Sequence, residues 1–367
     1  MRDISSLELS IVTKELSKFI TGSRVRKIYY LGEDSFRITF YNESKTLHLF
    51  IKLLKTINET NYSESAEEPN GFVMGLRKRL ENRIVNSIEQ KGSDRILQIS
   101  IGKEHMLLII EMFAKGNIIL LDEFGKIELV YKSLEFSDRI IKTKNDYKYP
   151  RGDSISLYES PNKINEILEK AGTDKIITLL SRSINIGPLY IEDILNRAKV
   201  DPKSKKISES DKIKISSELL LLIKRLEIEK PKVYFNNGSL EDYALCEILK
   251  YRELQSKQFN TLNETLDFVY LTERSVIKDS GKSERLKEVM LNIQKQEKLA
   301  ISLLESSKLD AATGKKIFEN MNMINQAIVY IQKNKRATLD ELKLNFPELN
   351  IKKIDLKSKN FTITLDD

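Results

Sequence analysis

Between Val25 and Tyr131 the apolar residues fall into short β-branched or aromatic runs, each closed within a few residues by a polar turn. That spacing marks antiparallel strands. Val25 to Tyr30, Ser35 to Tyr41 and Thr46 to Leu53 form a first set, joined by turns such as Gly32-Glu33-Asp34 and expected to make a meander. Ile96 to Ile101, Met106 to Phe113, Asn117 to Asp122 and Lys126 to Tyr131 form a second set, with Lys115-Gly116 and Glu123-Phe124-Gly125 as turns. Ahead of the first set, Ser5 or Ser6 caps a helix with Leu7, Ile11, Leu16 and Ile20 on its apolar face and Gly22 as its stop. Between the sets, residues 55–70 are polar and aperiodic and are expected to be a loop. Phe72, Leu76, Leu80 and Ile84 then repeat every four residues as one buried stripe, leaving Arg77, Lys78, Arg79 and Arg83 for the solvent side.

From Pro161 the pattern turns helical. Ile164, Ile167 and Leu168 are followed by Ile176 to Leu180 and by Tyr190 to Ala198, and Pro231 to Gly238 suggests a short strand and turn before a helix carrying Cys246. Leu286, Val289, Met290, Ile293, Ala300 and Leu304 follow a three-four spacing, and Ile317, Met321, Ile324, Ile328 and Ile331 repeat it after Gly314, as two antiparallel coiled-coil arms would. Ile354 to Leu365 has strand character. The expected fold class is therefore α+β and multidomain: a two-sheet domain over residues 1–155, a helical module over 156–270, a coiled-coil arm over 271–335, and the start of a β segment over 336–367.

With 367 residues, 40% of them hydrophobic, the chain can bury a substantial core. Its net charge of +7 favours polyanionic partners, and its single cysteine excludes an internal disulfide or a thiolate zinc site. The apolar runs are too short to cross a bilayer, so no membrane partner and an intracellular, cytoplasmic location are expected.

No catalytic constellation stands up. The sequence has no Walker or dinucleotide-type Gly-rich loop and no metal-ligand spacing, and neither His48 nor His105, both in expected strands, has a partner for a catalytic triad. We expect no enzyme activity, no metal and no cofactor. Leu180 to Arg197 reads as helix, tight turn, helix. In a helix-hairpin-helix a Gly turn such as Gly187 offers backbone N–H groups to a phosphate, and Asn185, at the other glycine position, can take a positive φ. A hairpin that only packs helices is the alternative. Arg77 and Arg79 on the basic helix can likewise meet phosphates or simply be solvated. Gly92-Ser93-Asp94-Arg95 sets an acceptor and a planar bidentate donor side by side at the head of an apolar strand. Arg95 can grip a phosphate and Asp94 a base edge or ribose hydroxyl. Taken alone, the pair can equally be a surface ion pair worth ~0–1 kcal/mol.

Several blocks together resemble the NFACT family, which includes NEMF and RqcH and was formerly called fibronectin-binding protein A. They are Ser6-Leu7-Glu8, Gly22-Ser23-Arg24-Val25-Arg26-Lys27-Ile28-Tyr29, Phe72-Val73-Met74-Gly75-Leu76-Arg77-Lys78, Gly92-Ser93-Asp94-Arg95-Ile96 and Leu108 to Leu120. Phe136-Ser137-Asp138-Arg139, Tyr147 to Pro150, the hairpin and the arm continue the likeness, and Ala114-Lys115-Gly116-Asn117 has an archaeal or eukaryotic form. The resemblance implies a factor of ribosome-associated quality control. Such a factor binds the obstructed large ribosomal subunit with its peptidyl-tRNA, recruits tRNA, alanyl-tRNA by preference, and promotes alanine-type tailing of the stalled chain. It also implies that Asp94 and Arg95 bind tRNA. We expect Arg77, Arg79, Arg139 and the Gly187 turn as further phosphate contacts. The family's C-terminal coiled-coil strand and NFACT-R domain do not follow Asp367, which limits what this chain is expected to do alone. The first domain also resembles MutM-type DNA glycosylases, but Met1-Arg2-Asp3 lacks their nucleophilic Pro-Glu start. A DNA-binding or repair-related protein without glycosylase activity, and a coiled-coil protein-binding adaptor, are the rival expectations.

Overall fold

The computed structural model describes residues 2–42, 45–62, 65–150, 154–169, 174–279, 301–303, 306–307, 310–311, 314–334, 336–355, 358 and 360–364. Two compact units emerge, residues 1–277 and 278–367.

In the first unit, α1 (Ser6–Ile20) is capped by Ser5, whose hydroxyl accepts from the Glu8 N–H while the Glu8 carboxylate accepts from the Ser5 N–H. This reciprocal cap satisfies two otherwise orphaned donors. Gly22, at φ +81°, turns the chain out of the helix. A four-stranded antiparallel meander follows, β1 (Arg24–Gly32), β2 (Ser35–Asn42), β3 (Lys45–Lys52) and β4 (Thr56–Glu59). The fourth strand corrects the expected 55–70 loop. Thr56, Ile57 and Asn58 are buried although two of the three are polar, so hydropathy alone hides the strand.

After α2 (Gly71–Leu80) comes a five-stranded antiparallel sheet, β5 (Val85–Gln90), β6 (Ile96–Ile101), β7 (Met106–Glu111), β8 (Asn117–Leu121) and β9 (Ile127–Val130). β5 was not expected, because Asn86, Ser87, Glu89 and Gln90 dilute its two apolar residues. Ile84, expected in the buried stripe of α2, lies beyond that helix and is exposed. His105 occupies the β6–β7 turn at φ +54° rather than a strand.

The second sheet is buried on both faces, which explains its nearly unbroken apolar strands. One face joins the main core with α1 and α2. On the other, Ile96, Ile109, Ile119 and Ile127 lie beneath a strap that carries Leu134, Phe136, Tyr147 and Tyr149.

The helical portion contains α3 (Ser160–Glu169), α4 (Ile176–Ser183), α5 (Pro188–Ala198) and α6 (Glu209–Ile228). A three-stranded sheet follows, β12 (Lys232–Asn236) flanked by β13 (Ser239–Ala244) and β14 (Gln255–Gln258), and then α7 (Leu262–Asp279); β10 (Leu134–Glu135) and β11 (Ile140–Ile141) form a minor hairpin in the strap. Cys246 lies buried in the bend after β13, not on a helix. The buried Asp193 of α5 accepts from Arg197 at 2.8 Å, Arg225 at 3.1 Å and the Leu249 N–H at 2.7 Å, tying α5 and α6 to the chain after β13. A single hydrophobic core runs from Ile4 through both sheets and these helices to Val269.

The second unit holds the helices Met321–Lys333 and Leu339–Asn345 and the hairpin Ile351–Asp355 with Asn360–Ile363, packed on Ala327, Ile331, Leu342 and Ile351. Apart from 301–303, which are helical, the first expected coiled-coil arm, Leu286 to Leu304, lies outside the described residues.

α7 covers part of the outer face of the first sheet, where its Asp267 sits beside Asn58, Thr60 and Asn61. Burial pushes the Asp267 carboxyl up to about 6, against hydrogen bonds that favour its charge. A raised carboxyl favours the fold when protonated, so its contribution is full below about pH 4 and is lost as pH rises to about 6. We expect the unfolding free energy of the wild type to fall over that interval by on the order of 2 kcal/mol relative to Asp267→Asn. Denaturant melts of both proteins at pH 4, 5, 6 and 7 measure the difference.

Candidate nucleic-acid interface

The Gly92-Ser93-Asp94-Arg95 turn is built locally and then clamped from two sides. Gly92 adopts φ +56°, the Asp94 N–H donates to the Lys91 carbonyl at 3.1 Å, and the Lys91 N–H donates to the Ile96 carbonyl at 2.9 Å. The Gln90 amide donates to the Asp94 carbonyl at 2.8 Å and to the Ser6 hydroxyl at 2.8 Å. The Ser93 carbonyl then accepts from two distant residues, the Ser6 hydroxyl at the start of α1 and the Asn185 amide at 2.7 Å. Three segments about ninety residues apart thus meet in one polar junction.

Asn185 corrects the expectation from sequence. It does not enter the left-handed region, and its side chain instead reaches across to hold the turn. Gly187 does take a positive φ, +99°, and a Cβ there would lie 2.6 Å from the Ser5 Cβ. Its missing side chain therefore lets the α4–α5 turn seat against the cap of α1.

Within the junction, Arg95 is 28% exposed, with its guanidinium 3.4 Å from the Ile4 carbonyl and 4.0 Å from the Asp3 carboxylate. Burial lowers its pKa and Asp3 opposes the shift, yet a guanidinium stays charged. Asp3 also accepts from Lys55 at 2.8 Å. The half-buried Asp94 carboxylate is pushed up by burial, and none of the described residues donates a hydrogen bond to it. The turn therefore presents a fixed cation and an acceptor with open valence on a rigid support.

That support rests on a buried cluster which the sequence did not announce. Glu8 is completely buried and accepts from Arg2 at 2.9 and 2.5 Å, from the Tyr190 hydroxyl of α5 at 2.8 Å and from the Tyr243 hydroxyl of β13 at 3.4 Å. Arg2 also bonds Asp242 at 2.9 Å and lies 4.2 Å over the Tyr243 ring. Burial alone raises a carboxyl, but the Arg2 charge, its hydrogen bonds and those from Ser5 and Tyr190 outweigh it and hold Glu8 below its ordinary range. The one signal in the sequence was Glu8 as the third residue of the helix, where a capping box places an acid.

The other expected phosphate contacts lie elsewhere. Arg77 donates to the Ile28 carbonyl at 2.7 Å, and Arg79 pairs with Glu128 at 2.5 Å. Arg139 is buried against Glu111 at 2.6 Å, with Tyr147 on the same carboxylate, so its charge is satisfied inside the strap and is not offered to a ligand. No ion pair or hydrogen bond joins these three to the Asp94 turn among the described residues. No group of three His, Cys, Asp or Glu could hold a metal ion among those residues, and none of the described helices is long and apolar enough to cross a membrane.

These features define a class: a mixed α/β protein of antiparallel sheets and helices whose most prepared polar site is an Asp-Arg turn at a three-way junction. The chain belongs to the NFACT family, since the family description "NFACT N-terminal and middle domains" matches residues 5–365. It is 28% identical over 325 residues to the "Archaeal Rqc2 homolog aRqcH" of Methanocaldococcus jannaschii, covering 83% of this chain and 47% of that protein. It is 25% identical over 288 residues to "Ribosome quality control complex subunit 2" of Saccharomyces cerevisiae, covering 72% of this chain and 27% of that protein. The chain thus spans about half or less of the length of these relatives. A fibrinogen-binding protein structure from Staphylococcus aureus shares the fold, with a TM-score of 0.60 and 20% identity over 72% of this chain and 98% of that one.

Removing one partner of a buried ion pair leaves the other uncompensated. Glu8→Gln is expected to cost ~3–5 kcal/mol in denaturant unfolding, whereas Tyr190→Phe, which removes one neutral donor, costs ~1–2 kcal/mol. Equal costs for the two variants would show that the Arg2–Glu8 pair is not the centre of this junction.

Proposed function

We propose that this chain is the RNA-gripping part of a ribosome-associated quality-control factor, and that Asp94 and Arg95 contact tRNA. The observation that carries the reading is the clamped turn. It exposes a guanidinium and an unengaged carboxylate, which suit a phosphate and a ribose hydroxyl or base edge respectively. The names of the archaeal and yeast relatives supply the biological setting.

In this reading the factor works in the cytoplasm on the large ribosomal subunit with its peptidyl-tRNA. It recruits alanyl-tRNA and promotes alanine-type tailing, while peptide transfer belongs to the ribosome and the chain is not itself an enzyme. The two-sheet domain is of the MutM type. The α4–α5 turn is a helix-hairpin-helix turned inward against α1. Arg77 and Arg79 form a secondary phosphate-contacting edge.

tRNA affinity should fall about 10- to 100-fold for Arg95→Ala, the loss expected for one charge-assisted contact. The slope of log affinity against log salt should shrink by roughly 0.7–0.9. Asp94→Ala should weaken binding with no change of slope. Titrating tRNA into the wild type and both variants across a salt series tests this, and unchanged affinity in the double variant would sink the assignment. Tighter binding of duplex DNA than of tRNA would instead favour the DNA-repair alternative.

A further inference from the structure

The first sheet has an outer face that α7 covers only in part. Cross-strand partners share a side, so Arg24 and Tyr41, Lys27 and Thr39, and Tyr29 and Arg37 all lie on the outer face, as do Phe50 and Asn58. α7 takes the β3–β4 side, with the Tyr270 ring 4.4 Å from Phe50 and Asp267 beside Asn58. On the β1–β2 side Arg37 and Thr39 are buried, and Arg24, Lys27 and Tyr41 are left at the surface.

Its composition is one-sided. β1 and β2 carry Arg24, Arg26, Lys27 and Arg37 and no carboxylate. A β-bulge between Val25 and Lys27 breaks the register, so that Arg26 and Lys27, neighbours in sequence, are both exposed together with Arg24. A regular strand would have turned one of them inward. A bulge that re-aims side chains is a common device next to binding sites. None of the ion pairs among the described residues involves Arg24, Arg26 or Lys27. Among the described acids near the hairpin, Glu33 pairs with Lys52, Asp34, at the closed end, with Lys132, Glu81 with Arg77 and Glu104 with Arg83, while Glu43 lies outside the described residues.

At the open end of the hairpin, Arg24, Arg26, Tyr41 and Asn82 line a cavity of about 400 Å³. Tyr41 is 43% exposed. Asn82 leaves α2 in the left-handed region at φ +67°, is itself exposed, and accepts through its carbonyl from the Arg24 guanidinium. The cavity therefore combines an aromatic face, two guanidinium groups and an amide.

The geometry points to a second nucleic-acid site, in which a nucleotide of unpaired RNA stacks its base on Tyr41. Arg24 and Arg26 neutralise the flanking phosphates, and the Asn82 amide meets the base edge. An acidic peptide would satisfy the arginines but has no planar base to stack on Tyr41. Duplex RNA would present no free base face to a side-chain platform. The site is independent of the Asp94 turn, so each can fail without the other.

The test is fluorescence anisotropy of the whole chain with a labelled oligouridine, with polyphosphate and an oligoglutamate peptide as competitors. Tyr41→Ala should weaken oligouridine binding at least about fivefold, while Tyr41→Phe keeps it within about twofold because the ring remains. Arg26→Glu should weaken oligouridine and reduce competition by polyphosphate alike. In an Asp94→Ala/Arg95→Ala background, Tyr41→Ala should weaken oligouridine binding by the same factor as in the wild type. Melting temperatures near that of the wild type show that the exposed substitutions leave the fold intact. Wild-type affinity in Tyr41→Ala overturns the proposal, as does oligoglutamate competing as well as unlabelled oligouridine.

Discussion

The Arg2–Glu8 ion pair is the interaction on which the rest of this unit depends. A fully buried carboxylate is unfavourable unless every lone pair is occupied, and Glu8 meets that demand by drawing a donor from each of four places: residue 2, the cap of its own helix, α5 and β13. Because those donors come from elements far apart in the chain, satisfying one side chain aligns the α1 start with the helical portion and the third sheet. The Asp94 turn inherits this alignment through Ser6 and Asn185, which both donate to the Ser93 carbonyl. The site's rigidity is thus a by-product of solving a solvation problem about one helical turn away.

A second buried pair, Glu111 with Arg139, solves the parallel problem for the strap over the second sheet. Tyr147 shares the carboxylate, and burial together with that charge raises the Tyr147 hydroxyl far above its ordinary value, so it remains a donor. The two sheets are therefore finished differently. The second is sealed on both faces by apolar packing and one internal charge pair, whereas the first keeps a cationic margin facing outward.

Much of the fold was legible in the sequence, and the exceptions share a physical cause. Seven strands, α1, α2 and the α4–α5 hairpin follow from periodicity and turn residues. β4 escaped because its buried Thr56 and Asn58 pair through a hydrogen bond that hydropathy does not register, and β5 because polar residues separate its buried Val85 and Ile88. Arg139 was read as a surface cation because nothing in its local sequence reveals Glu111, twenty-eight positions earlier, as its partner. For the candidate site, the Asp94-Arg95 turn could be picked out as a short motif, but its clamp could not. Ser6, Gln90, Asn185 and Arg2 are ordinary polar residues whose roles exist only once the chain has folded.

The wiring of Glu8 has a consequence for how such a chain is made. Arg2 and the helix cap are at hand as soon as the first turns emerge during synthesis, but Tyr190 and Tyr243 lie 182 and 235 residues further along. Until they arrive, α1 carries a charged pair that no folded interior has yet enclosed, and the segment that clamps the Asp94 turn has no fixed seat. Closing contacts of such long separation is intrinsically slow. The seat of α1 thus needs residues as far along as Tyr243, so a chain cut short before β13 carries the Asp-Arg motif without the full set of contacts that holds its clamp in place.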